Sequence, residues 1–107
     1  MPNGDDKNWV RACAAIDGFR SRYGRWPTHV RLFPGALENL RDHVLTPAGF
    51  ELVMGVVELI ADDRAPMVAE DATGASYNYA TEGFAERMPD EPTRNWFGNA
   101  ILRPNSE

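Results

Sequence analysis

The chain has 107 residues, enough for one domain that buries a core without disulfide or metal staples. Its composition, 43% hydrophobic and 25% charged, is that of an ordinary globular protein and excludes the low-complexity and disordered classes. A net charge of -5 weighs against nonspecific binding to duplex DNA, which depends on a summed positive field.

The longest apolar run, residues 52–61, is broken by Gly55 and Glu58 and falls well short of the ~18 residues of a membrane span. No membrane partner is expected. The opening residues lack the basic and apolar regions of a secretory leader, and the single cysteine, Cys13, has no partner for an internal disulfide. Both features point to the cytoplasm. The charge is unevenly spread. Residues 1–45 carry seven cations against five acids, whereas residues 46–107 carry four cations against eleven acids. Such asymmetry favours a charged partner.

In chain order, Trp9, Ala12, Ile16, Phe19 and Tyr23 form one stripe of a 3.6-residue period and predict an amphipathic helix. Arg11, Gly18 and Arg22 fall on its other side. Asp5 or Asp6 suits the cap, and Gly24 suits the left-handed residue past the end. Residues 28–33 alternate and predict a strand, with Val30 and Leu32 on one face and His29, Arg31 and Phe33 on the other. Pro34 and Gly35 end it.

Leu37, Leu40 and Val44 mark a short second helix. Thr46-Pro47 then opens a third, which runs to about Met54. Residues 50–61 fit one continuous helix, but Gly55 and the β-branched Val56, Val57 and Ile60 favour a break followed by a strand over 56–61. After the Asp62-Asp63 turn, residues 66–71 predict a returning strand. Past Thr73-Gly74, residues 76–79 predict a last one, with Tyr77 and Tyr79 on one face. Residues 81–88 suggest a helix carrying Phe84 and Met88, and residues 89–94 read as a linker.

The predicted fold class is therefore α+β: an N-terminal amphipathic helix, a strand, two short helices, a three-stranded antiparallel meander, and a C-terminal segment of little periodicity. The first strand joins the edge of the meander. All of 1–107 forms one small domain, with 1–7 and 103–107 flexible.

The richest segment is residues 19–31, with four arginines, three aromatics and no acid. Arg20, Arg22, Arg25 and Arg31 with Trp26 could hold nucleic acid or phosphate. The plainer alternative is a helix end whose cations suit the dipole and whose aromatics are core. The acid pairs Asp62-Asp63 and Glu70-Asp71 could hold a cation only if adjacent. A hairpin between residues 56–61 and 66–71 separates them by roughly 16 Å. Glu58, inside an apolar strand, fits a catalytic acid or the solvated side of a sheet.

His29 and His43 lack ligand spacing, and Cys13 on the first helix is expected to be buried, which disfavours a Cys-His nucleophile. No phosphate loop, dinucleotide fingerprint, hydrolase elbow or zinc motif is present, and Lys7 is the sole lysine. No metal or cofactor is expected. Trp96, Phe97, Ile101 and Leu102 cluster near the end and would either pack back or meet a partner, which makes Trp96 and Phe97 contact candidates. The leading expectation is a small non-enzymatic protein that binds another protein or itself, as an inhibitor, adaptor or accessory subunit. Nucleic-acid binding comes second. An enzyme built on Glu58, Glu70, Asp71 and an arginine or His43 comes third.

Overall fold

A computed structural model of the chain describes residues 7–85 and 90–97. The expectations for Asp5, Asp6, Met88, Ile101, Leu102 and residues 103–107 lie outside the described residues. The fold is α+β. Helix α1 (Lys7–Tyr23) leads to strand β1 (His29–Leu32). Helix α2 (Pro34–Asn39), a π-helical turn (Leu40–Val44) and α3 (Pro47–Val56) follow. Next come β2 (Glu58–Ala61), β3 (Met67–Glu70), β4 (Ser76–Asn78) and the one-turn helices α4 (Tyr79–Glu82) and α5 (Thr93–Phe97).

Local chemistry accounts for several boundaries. Gly24 ends α1 with φ at 73°, and its N–H donates to the Arg20 carbonyl at 2.8 Å. Thr46 caps α3 by accepting from the Gly49 N–H at 2.9 Å, with Pro47 in the first turn. Gly55 does not break this helix, which runs on through Val56, so the strand begins at Glu58 rather than 56. The tetrapeptide from Tyr79 coils into α4 instead of extending β4, with the Asn78 side chain accepting from the Ala80 N–H at 2.9 Å.

The four strands stand in the order β2-β1-β3-β4. β1 runs parallel to β2, with His29 beside Glu58, and antiparallel to β3, with His29 beside Glu70. β3 pairs antiparallel with β4. The three-stranded meander is thus corrected: β1 lies in the sheet interior, between β2 and β3. A parallel β1–β2 pair cannot be joined by a tight turn, and α2, the π turn and α3 supply the crossover.

Val30, Leu32, Leu59, Met67, Ala69 and Tyr77 point from one face of the sheet into a single buried cluster. Trp9, Ile16 and Phe19 of α1 meet them there, with Leu40 and Val44 of the π turn, Leu45 after it, and Val53 of α3. Full burial of a side chain the size of Ile16 or Phe19 stabilises by about 1.5–3 kcal/mol. Helix α1 is buried on more than the expected stripe, because every residue from Ala12 to Phe19 is buried, Gly18 included.

Candidate functional site

The other face of the sheet carries His29, Arg31, Glu58, Ile60, Val68, Glu70, Ser76 and Asn78. None of these side chains belongs to the buried cluster, and all but Val68 keep solvent exposure. The register sets Glu58, His29, Glu70 and Ser76 in one row across the four strands. Ile60, Arg31, Val68 and Asn78 form the next row. Phe33 follows Arg31 just past β1 and is 45% exposed.

Arg31 organises this face. Its Nε and Nη2 donate to the two Glu70 oxygens at 2.9 and 2.6 Å, and its Nη1 donates to Asp62 Oδ2 at 2.7 Å. Planar two-point pairing of this kind fixes orientation as well as charge. His29 Nε2 lies 3.0 Å from Glu70 Oε1. Arg31, then His29, hold the Glu70 carboxyl below its usual pKa, against the opposing pull of partial burial. Asp62 is lowered by the Arg64 backbone N–H and by Arg31. The same partners push the Arg31 pKa up. The expected hairpin separation of the two acid pairs is corrected: β2 and β3 do not pair, and the single Arg31 guanidinium donates to both Asp62 and Glu70.

The other arginines of residues 19–31 are also engaged. Arg22 makes a two-point pair with Glu82 and lies over the Tyr77 ring, 4.9 Å from its centroid. Arg25 donates to Asp71 at 3.0 and 2.5 Å and to Thr73 at 3.2 Å. Arg20 donates to the Glu91 carbonyl at 2.7 Å and sits 4.4 Å above the Trp26 ring. Trp26 has its other neighbours in Trp96 and Phe97, with ring centroids 5.1 and 6.0 Å away. Arg22, Arg25 and Arg31 therefore meet carboxylates from the second half of the chain, and Arg20 already lies over the Trp26 ring. The arginines do not converge on a shared ligand position.

Phe97 is only 5% exposed and packs against Trp9 at 5.7 Å, so it belongs to the core rather than to a contact surface. Trp96 keeps 43% exposure. Thr93, in the stretch that reads as a linker, is fully buried. Both its N–H and its hydroxyl donate to Asp17 Oδ1, the former at 2.8 Å. The sequence signal for that latch is a lone acid, Asp17, within the otherwise uncharged stretch from Ala12 to Phe19.

The groups of the enzyme reading scatter. Glu58 and Glu70 flank His29, about 10 Å apart across two strand spacings. Asp71 turns away to Arg25 and Thr73, and His43 sits exposed in the π turn. Cys13 is buried, and burial pushes its thiol pKa far up, with Asp17 adding to the shift. Among the described residues no group of three or more His, Cys, Asp or Glu side chains could hold a metal ion. No described helix is long and apolar enough to cross a membrane.

These features define an α+β protein with its helices packed into one sheet face and an ordered charge network on the other. No protein-family model, curated protein or solved structure matches the chain.

Proposed function

We propose that this is a non-enzymatic interaction module that binds another protein through the solvent-facing side of its sheet. The observation that carries the reading is the Arg31 network: a semi-exposed arginine held rigid by two carboxylates, with Phe33 and Ile60 beside it. Arginine and aromatic side chains in a pre-ordered patch are what protein interfaces favour, because little side-chain entropy is lost on docking. Engagement of Arg20, Arg22, Arg25 and Trp26 within the fold supports this reading over nucleic-acid binding. The buried free thiol of Cys13 is compatible with a reducing compartment, and we place the protein in the cytoplasm.

Affinity capture from the source organism tests the reading with three forms of the protein. Wild type is expected to retain a specific partner, and Phe33→Asp with Ile60→Asp to lose it. Leu52→Asp, on exposed α3 surface, is expected to keep it. No captured protein, or capture indifferent to the Phe33 and Ile60 changes, overturns it. Salt-sensitive binding to single- or double-stranded nucleic acid, abolished by Arg22→Ala plus Arg25→Ala, would establish the nucleic-acid reading instead.

A further inference from the structure

We infer that the solvent-facing side of the sheet docks a basic segment of its partner, with Glu58 receiving the lysine or arginine. The inference rests on the reading of this face as the protein-binding surface and adds the chemistry of what it binds. The face carries one arginine against the three carboxylates Glu58, Asp62 and Glu70, so acids outnumber arginines on it three to one.

Arg31 is fully committed. Three of its nitrogens already donate to Asp62 and Glu70. Glu58 stands next to His29 in the parallel register, is exposed, and makes no ion pair with any described residue. A cation arriving at Glu58 therefore displaces nothing. Ile60, two residues along β2 on the same face, offers an apolar surface for the methylene stem of that lysine or arginine.

Charge selects among occupants. A phosphate-bearing ligand meets like charge on this face. A second copy of the chain, docked face to face, would bring two faces with the same excess of carboxylates together, and like-charge juxtaposition disfavours it. A basic, partly apolar segment of another protein meets neither obstacle.

Titration of the isotopically labelled full chain, followed by NMR, tests this with three hexapeptides alternating leucine with lysine, with serine or with glutamate. The lysine peptide is expected to shift resonances of His29, Arg31, Glu58 and Ile60. Its affinity is expected to fall about two- to five-fold in Glu58→Gln, the size of one exposed charge pair, and to weaken with added salt. The glutamate peptide is expected to leave this face unshifted. Equal binding of the lysine and serine peptides here, unchanged in Glu58→Gln, would overturn the basic-segment inference while leaving a protein-binding face. Shifts confined to other surfaces, or none with any peptide, would remove both.

Discussion

The Tyr77 ring occupies the space where any side chain at Gly18 would stand. A methyl group built on Gly18 would stand 2.3 Å from Tyr77 Cε1 and 2.4 Å from Cζ. No other residue type lets α1 approach β4 so closely. The ring is also tethered, since its hydroxyl donates to the Gly83 carbonyl at 2.7 Å. Gly18→Ala should therefore destabilise the fold by about 1–3 kcal/mol through overpacking, even though alanine is the better helix former by about 1 kcal/mol. Urea denaturation would measure it. Pairing the change with Tyr77→Leu should recover part of the loss, and a stabilised Gly18→Ala single variant would refute the contact.

Asp17 ties α5 to α1 by accepting from Thr93 while almost wholly buried. Asp17→Ala leaves two buried donors without a partner, so a loss of about 1–3 kcal/mol is expected. Amide hydrogen exchange should rise first between residues 91 and 97, because that segment loses its anchor before the sheet does. Uniform protection with unchanged stability would count against the latch.

The depressed carboxyls give a definite pH dependence. Asp71 is brought down from its usual 3.8 to about 2, by the Thr73 hydroxyl and by Arg25. Glu70, Asp62 and Glu82 are lowered as well. The unfolded state then binds more protons than the folded one. The stabilisation from these groups is full above the unfolded pKa and is lost as pH falls through the folded pKa. Stability should decline between about pH 4 and pH 2. Asp71→Asn, which keeps an oxygen for Thr73 but removes the titration, should flatten that decline. An unchanged slope would place the acid sensitivity elsewhere.

Cys13 should be inert while the protein is folded. With its thiol buried and its pKa pushed up, too little thiolate is exposed to react. Iodoacetamide at neutral pH is expected to label the chain only in denaturant. Rapid labelling under native conditions would show that α1 opens readily.

Much of the fold was legible because it rests on local pattern. The stripe from Trp9 to Phe19 is buried, Gly24 and Thr46 terminate helices as their chemistry dictates, and Val30 and Leu32 point inward where alternation placed them. The basic character of residues 19–31 was equally plain. The engagement of those arginines was not, because Glu82, Asp71 and Glu70 lie 60, 46 and 39 residues away in the chain.

Composition and periodicity by themselves determined the class, the end of α1, the start of α3, and which side of β1 is apolar, since each follows from neighbours within a turn or two. Only the tertiary structure decided that β1 lies between β2 and β3, that Gly18 meets an aromatic ring, and that Asp17 holds Thr93. The physical reason is that strand order and buried polar pairing depend on which distant segments arrive side by side. A hairpin turn signal at Asp62-Asp63 reads the same whether the strands it joins pair with each other or admit a third between them.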